Sequence, residues 1–250
     1  MMSGIFNLSK NGKRLVVIMF SISVITVIAA YLYYEQANRL EDPRAIPIAR
    51  MYERYNKHIY NNDFYKVIAV LDSMEAAYGQ IDHYQESYEI GVICTDRAAA
   101  YLTMALYNTA DQAEKAGYLA IADRNLNRSL DYYEKFELKF KDMDAPALIA
   151  AISADFSFLT EKREKIIGKR AGIIETAVQE INRRKSVAYT NLGIVKRHQL
   201  DTESAIECYQ MALELWPENH SAKSNLNVLL GGEPLRRNFI QKLFPPDKDQ

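Results

Sequence analysis

Residues 186–219 decide the fold, and they read SVAYTNLGIVKRHQLDTESAIECYQMALELWPEN. Two helical segments are separated by a turn in which Asp201 is suited to cap the second helix. Small residues at Gly193 and Ala205 allow the two helices to cross closely, and Pro217 ends the second one. The large side chains that fill the gaps between neighbouring helix pairs are Tyr189, Leu192, Tyr209 and Leu213.

This stretch resembles a tetratricopeptide repeat, in which W-x2-L-G-x2-Y is followed by Ala, an aromatic residue, Ala and Pro. The positions that match are Leu192, Gly193, Ala205, Tyr209, Ala212 and Pro217, with Tyr189 in the place of the Trp. Lys196 departs from the pattern, which has Tyr there. A step of one repeat carries Leu192 onto Leu226, so SAKSNLNVLL (221–230) is expected to begin a following unit. The resemblance implies an all-α solenoid of helix-turn-helix units that binds other proteins.

The helical domain is expected to cover residues 48–230, and two weaker units precede the strong repeat. One spans 48–81, with a Tyr-rich first helix. The other spans 91–136 and has a long inserted connection; its first helix is placed at 96–102, with Ala98 at the tight crossing.

Residues 137–185 do not fit the repeat, and they predict a long helix that runs into the strong unit. Asp144 and Pro146 suit a helix start. Apolar residues then recur every seventh position, at Ile152, Leu159, Ile166 and Ile173. Such a seam packs within its own domain or, in a second interpretation, supports self-association as a coiled coil.

Residues 15–34 (LVVIMFSISVITVIAAYLYY) are 20 consecutive residues without a charge. As a helix they span roughly 30 Å, which matches the hydrocarbon core of a bilayer. Hydroxyls at Ser21, Ser23 and Thr26 can bond back to helix carbonyls. The interpretation is an uncleaved signal-anchor, and the rival interpretation is a cleaved signal peptide.

The short N-terminal tail, residues 1–14, carries the acid-free basic cluster Lys10, Lys13 and Arg14. This cluster favours a cytoplasmic N-terminus. A Pro-containing linker at 35–47 then leads to a domain on the other side of the membrane. The chain is therefore expected to be a single-pass inner-membrane protein with a periplasmic C-terminal domain.

Composition narrows the classes of function. The formal net charge is −1, which argues against a chain that holds nucleic acid by bulk charge. Cys94 and Cys208 are interpreted as buried small side chains, although one bridge between them stays open. No nucleophile elbow, phosphate loop or zinc-protease motif occurs, so neither catalysis nor a cofactor or metal is expected.

The concave side of a solenoid is lined by the first helix of each pair. The predicted partner-binding residues are Tyr52, Asn56, Tyr60, Thr95, Asp96, Ala99, Thr190, Asn191, Ile194, Arg197, Ser224 and Asn225. Co-chaperone repeats that hold a C-terminal carboxylate carry Asn before an R-A-x-x-Y helix, and the similar segment here has Asp96 at that place. A carboxylate there would repel a carboxylate ligand, so that activity is not transferred.

These observations predict a non-enzymatic, membrane-anchored scaffold that binds proteins in a cell-envelope assembly, such as a secretion or flagellar-motor collar complex. Two alternatives are a chaperone-like factor for exported proteins and an enzyme with an unrecognised site in 137–185.

The tail at 231–250 has apolar residues at helical spacing, which suits a capping helix or a docking peptide. These residues are Leu235, Phe239, Leu243 and Phe244.

Overall fold

Residues 41–235 contain eight α-helices and no strand. The structure is a computed structural model that describes residues 41–235 together with Met19, Ser23, Val24 and Thr26. The helices are α1 (Ile46–Tyr60), α2 (Phe64–Gly79), α3 (Tyr88–Thr103), α4 (Gln112–Phe140), α5 (Ala145–Ser153), α6 (Arg163–His198), α7 (Thr202–Leu215) and α8 (His220–Leu229). The prediction of an all-helical chain is confirmed for these residues.

Acidic and amide side chains begin five of these helices. Asp144 accepts a hydrogen bond from the backbone N–H of Ala147 at 2.9 Å, and Asp201 accepts one from Ser204 at 3.1 Å, as the sequence predicts. The remaining side-chain caps lie at Asp63, Asp111 and Asn219. Each such cap stabilises its helix by about 1 kcal/mol.

The helices pack in pairs, α1 with α2, α3 with α4, and α6 with α7, and α8 packs against α7. One group of buried apolar side chains joins α1, α2 and α3, and a second group runs from α3 through α4, α5 and α6 to α7. The α3–α4 pair contacts α6 directly through α4, so α5 lies beside the stack of helix pairs. This stacking supports an α-solenoid.

Two glycines mark where paired helices cross most tightly. A Cβ atom on Gly193 would lie 2.5 Å from the Tyr209 ring, which confirms the predicted crossing of the strong repeat. A Cβ atom on Gly91 in α3 would likewise lie 2.6 Å from the Tyr133 ring in α4. The repeat pattern predicts Ala98 at the tight crossing of α3 and α4, whereas the structure has Gly91 there.

The insertion predicted between α3 and α4 is partly helical. A π-helical turn at Met104–Asn108 continues α3, and α4 begins at Gln112. The first unit agrees more closely with the prediction, since α1 and α2 occupy the expected segments and Asp63 caps the second helix.

The seven-residue seam does not form one continuous helix, which corrects the prediction for 137–185. The chain leaves α5 through a 3₁₀ turn at Ala154–Phe156 and re-enters helix only at Arg163. The Arg163 guanidinium donates to the carbonyl oxygens of Phe156 at 3.1 Å and Ser153 at 2.7 Å, and these bonds stabilise the break. Leu159 therefore lies outside a helix.

The long helix that runs into the strong repeat is confirmed as α6. Its seam residue Ile166 and the α5 seam residue Ile152 are buried within the same chain. They are therefore not available to a coiled-coil partner.

Both cysteines are buried and their thiols are free. Burial raises the pKa of Cys94 and of Cys208 to about 11. The interpretation of both as small buried side chains is confirmed.

The predicted anchor at 15–34 lies almost entirely outside the described residues. Ser23 is described, and its hydroxyl donates to the Met19 carbonyl at 3.0 Å, as expected for a hydroxyl within an apolar helix. The residues that the structure describes include no helix with the length and apolar character needed to span a bilayer. Of the tail, residues 236–250 also lie outside the description, and Phe239, Leu243 and Phe244 lie among them.

Candidate functional site

A cavity of about 890 Å³ lies where α1, α3 and α6 meet, next to the segment that leads into α1. Helix α1 contributes Tyr52, Tyr55 and Asn56, and α3 contributes Asp96. Tyrosine is the most frequent type of side chain in the wall, and the five tyrosines are Tyr52, Tyr55, Tyr78, Tyr84 and Tyr88. The volume falls in the range of ordinary ligand sites.

A buried ion pair forms one wall of the cavity. Arg170 of α6 and Glu89 of α3 are 5% and 9% exposed, and the guanidinium donates to both carboxylate oxygens. Burial alone would raise the pKa of Glu89, but the charge and hydrogen bonds of Arg170 outweigh burial and lower it. The centroid of the Tyr84 ring lies 4.4 Å from the Arg170 guanidinium carbon, so the face of the ring covers the cation.

His83 extends this pair into a chain of four side chains. Arg170 Nε donates to His83 Nε2 at 2.9 Å, and an arginine can only donate, so Nε2 carries no proton. His83 is therefore neutral and donates from Nδ1 to Asp155 at 2.8 Å. Burial and the charge of Arg170 lower the pKa of His83, in agreement with this geometry. The chain connects the cavity wall to the break after α5.

Asp96 of α3 lines the cavity near Tyr52 and Tyr55 of α1. Burial raises the pKa of both Tyr52 and Tyr55, and the negative charge of Asp96 raises it further. The rings of Tyr52 and Tyr55 meet edge to face with their centroids 6.2 Å apart.

The other charged side chains that line the cavity are paired. Lys169 Nζ lies 3.5 Å from Glu41 Oε1, and the Arg184 guanidinium donates to Glu180 Oε2 at 2.9 Å. The Arg184 guanidinium also lies over the Tyr88 ring, 5.2 Å from its centroid. These contacts hold the basic groups of α6 against the walls.

Residues 186–219 match the family model of the tetratricopeptide repeat. The match has the boundaries that the sequence predicted, and it covers α7 and the C-terminal third of α6. Comparison with curated proteins and with solved structures gave no significant match. A tetratricopeptide repeat supports a role in binding other proteins.

None of the residues that line the cavity belongs to the matched repeat. The cavity is lined by residues of α1 and α3, by Tyr78 of α2 and Tyr84, by the segment that leads into α1, and by the part of α6 that precedes the repeat. The matched repeat supports this part of α6 from the C-terminal side, since α6 is one uninterrupted helix.

Three of the predicted partner-binding residues come together in the cavity, and they are Tyr52, Asn56 and Asp96. Thr95 points away from it, because its hydroxyl bonds Ser129 at 2.6 Å and the Gly91 carbonyl at 3.1 Å. Thr190 is 3% exposed and accepts a hydrogen bond from Asn219. Neither threonine lines an accessible concave surface.

The other predicted residues lie elsewhere on the chain. Ile194 packs against the larger core, and the Ser224 hydroxyl accepts a hydrogen bond from the backbone of Leu235. Tyr60 and Arg197 are exposed, and the partly buried residues outside the cavity are Ala99, Asn191 and Asn225.

The contribution of α6 to the cavity does not follow from the repeat pattern. Ile166, Lys169, Arg170, Ile173 and Arg184 all line it, and they lie in the region that was set aside as non-repeat. The absence of a breaker between Gly172 and Val195 was a signal that this helix extends along the stack. No local pattern connects Arg170 with Glu89, because 81 residues separate them.

Proposed function

We propose that the protein is a non-enzymatic, membrane-anchored adaptor that binds a segment of a protein partner in the cavity between α1, α3 and α6. The observation that carries this proposal is a large, tyrosine-lined cavity on stacked helix pairs. Tyrosine is enriched at protein interfaces because it combines a large apolar ring with a polar hydroxyl. The matched repeat adds independent support for a protein ligand.

The position of the cavity relative to the predicted anchor supports membrane tethering of the partner. Glu41 lines the cavity and follows the end of the segment 15–34 by seven residues. Seven extended residues reach at most about 25 Å. A partner bound in the cavity would therefore lie close to the bilayer surface, where tethering raises its effective concentration.

We also propose the location expected from the sequence, with a cytoplasmic N-terminus and residues 35–250 in the periplasm of a bacterial cell. In that compartment the adaptor would act within a cell-envelope complex. Carbonate extraction of membranes, retention of an N-terminal tag and protease treatment of spheroplasts test this topology together. Release by carbonate, loss of the tag or protection from external protease would each contradict it.

Site-specific photocrosslinking tests the binding site in the full chain in living cells. A benzophenone amino acid at Asn56 lies in the cavity wall. The matched control is the same probe at Lys57, which is exposed, lies outside the cavity and follows Asn56 directly, about 100° around the helix. The two positions differ by one residue in their separation from the predicted anchor along the chain.

We expect crosslinks from Asn56 to a small, stoichiometric set of envelope proteins, and weak crosslinks from Lys57. Equal patterns at the two positions would refute the cavity as the binding site. A broad, substoichiometric mixture of exported proteins at Asn56 would replace the scaffold by a chaperone-like factor.

A further inference from the structure

The imidazole of His83 connects three parts of the chain that lie far apart in sequence. It belongs to the 3₁₀ turn at Asp82–Tyr84, between α2 and α3. Its side chain is 4% exposed, and it contacts Arg170 of α6 through Nε2 and Asp155 after α5 through Nδ1. The Phe156 ring packs edge to face against it, with the centroids 5.2 Å apart. The acceptor nitrogen of a buried imidazole therefore faces an arginine.

Protonation of His83 is incompatible with its contact to Arg170. Nε2 accepts from Arg170 Nε at 2.9 Å, whereas a protonated imidazole has a donor at each nitrogen. Two N–H groups and two positive charges would then face each other, so this contact has to break. The contact with Asp155 is kept, because Nδ1 donates in both protonation states and the carboxylate attracts the cation. A protonated His83 would therefore stay with Asp155 and separate from Arg170.

Arg170 is the residue through which this separation reaches the cavity. It lines the cavity, and its guanidinium contacts Glu89, the Tyr84 ring and His83. Protonation of His83 removes one of these three contacts. Tyr84 lines the cavity as well, and its ring centroid lies 5.0 Å from that of His83. The change therefore acts on two neighbouring residues of the cavity wall.

We propose that His83 is a pH switch for the cavity: the neutral imidazole holds Arg170 in the wall, and the protonated imidazole releases Arg170 and weakens binding of the partner. This inference rests on the proposed function in one respect, namely that the cavity binds a partner. It adds the regulation of that site. Because the switch takes up one proton, the affinity for the partner falls by at most about tenfold per pH unit.

The charged groups around His83 set the pH at which the switch operates. Burial and the positive charge of Arg170 on α6 oppose protonation, whereas Asp155 after α5 and Glu89 on α3 favour it. The balance lowers the pKa of His83 below its ordinary 6.5, so the imidazole is neutral at pH 7 and takes up a proton in acid. Tyr84 in the same turn stays neutral throughout, since burial raises its pKa.

The first test follows the cavity wall in the full chain in detergent micelles, without any partner. We would introduce 3-fluorotyrosine only at position 84 and record ¹⁹F NMR spectra from about pH 8 to about pH 5, the range in which histidines titrate. The reporter control is 3-fluorotyrosine at Tyr107, which is 82% exposed and outside the cavity. Circular dichroism at each pH verifies that the chain is folded.

We expect the resonance at position 84 to titrate in one step with a midpoint below pH 6.5, and the resonance at Tyr107 to lack this step. His83→Gln should remove the step, because a glutamine amide is neutral at every pH yet can accept from Arg170 and donate to Asp155. The matched control His198→Gln replaces a histidine outside the cavity and should keep the step.

Asp155→Asn is a second variant that decides the question if His83→Gln fails to fold. It keeps an acceptor for Nδ1 and removes the negative charge that favours protonation of His83. The midpoint at position 84 should therefore move to lower pH. An unchanged midpoint in folded Asp155→Asn would assign the titration to another group.

The second test measures the partner, by photocrosslinking from Asn56 in spheroplasts at the same pH values. In the proposed topology the medium reaches the domain. We expect the specific crosslinks to decrease below the midpoint in the wild-type chain, by up to about tenfold per pH unit, and to stay constant in His83→Gln.

Three results would overturn the switch: no titration at position 84, the same titration in folded His83→Gln, or crosslinks from Asn56 with the same pH dependence in the wild type and His83→Gln. Failure of the switch is distinguishable from failure of the proposed function. If the switch alone is wrong, the specific crosslinks of the wild-type chain persist in acid. If the proposed function is wrong, they are missing at every pH, while position 84 still titrates.

Discussion

Replacing Arg170 with methionine removes the cation from the buried pair with Glu89, and we expect a large loss of stability. Arg170 is 5% exposed and Glu89 9%, so the carboxylate left behind is shielded from water. The change also removes the hydrogen bond to His83 Nε2. Breaking one partner of a buried pair costs about 3–5 kcal/mol, because the remaining charge is uncompensated.

The pH dependence makes this prediction specific. In the wild-type protein Arg170 lowers the pKa of Glu89 below its ordinary 4.5, so the pair stabilises the fold above that pH and the stabilisation is lost as the pH falls. In Arg170→Met, burial acts without the cation and raises the pKa of Glu89. Protonation then favours the folded state, and the difference between variant and wild type should shrink as the pH falls from 7 towards 4.5.

Urea unfolding of the full chain in micelles, followed by circular dichroism at several pH values, measures both effects. The matched control is Lys135→Met, which breaks an exposed pair with Asp131 whose two side chains are 57% and 55% exposed. Its effect on stability should be small at any pH, because an exposed ion pair is screened by solvent. If Arg170→Met lowers the free energy of unfolding by less than about 1 kcal/mol, or if its effect grows as the pH falls, the buried pair does not stabilise the fold as described.

Further predictions concern packing and titration. Gly193→Ala should destabilise the chain by about 1–3 kcal/mol in thermal or urea unfolding, because the new Cβ would lie 2.5 Å from the Tyr209 ring. Gly117→Ala, at a mid-helix site with nothing within 4 Å of the new Cβ, should stabilise by about 0.5–1 kcal/mol; destabilisation there would contradict the packing argument. The lowered pKa of His83 predicts that stability falls as the pH drops below about 6.5, where the unfolded chain binds the proton more readily. This part of the pH profile should disappear in His83→Gln, and its persistence would assign it to other groups.

The strong repeat could be predicted because its determinants are local in sequence. Gly193 and Tyr209 lie at fixed spacing in two adjacent helices, Pro217 lies in the turn after the second helix, and the structure uses all three as the spacing predicts. The caps at Asp144 and Asp201 are equally local, since each contacts a backbone N–H three residues later. Helical periodicity and caps are properties of short segments and need no tertiary partner to be recognised.

The seam failed as a predictor because periodicity does not show where a helix breaks. The spacing of Ile152, Leu159 and Ile166 fits one helix, yet the chain turns after α5. The turn buries Phe156 fully and brings Asp155 to His83, which lies 72 residues earlier. These long-range contacts compete with the local helical preference of the segment and outweigh it.

The helical fold of the described residues, the boundaries of the matched repeat and the burial of both cysteines could be predicted from the sequence alone. The sequence also placed Tyr52, Asn56 and Asp96 among the candidates for binding. The packing of distant helices brings these three residues into one cavity and makes α6 part of its wall, which the sequence did not reveal. The physical reason is that the cavity depends on pairings such as Arg170 with Glu89, which arise when distant helices stack and leave no periodic trace in the sequence.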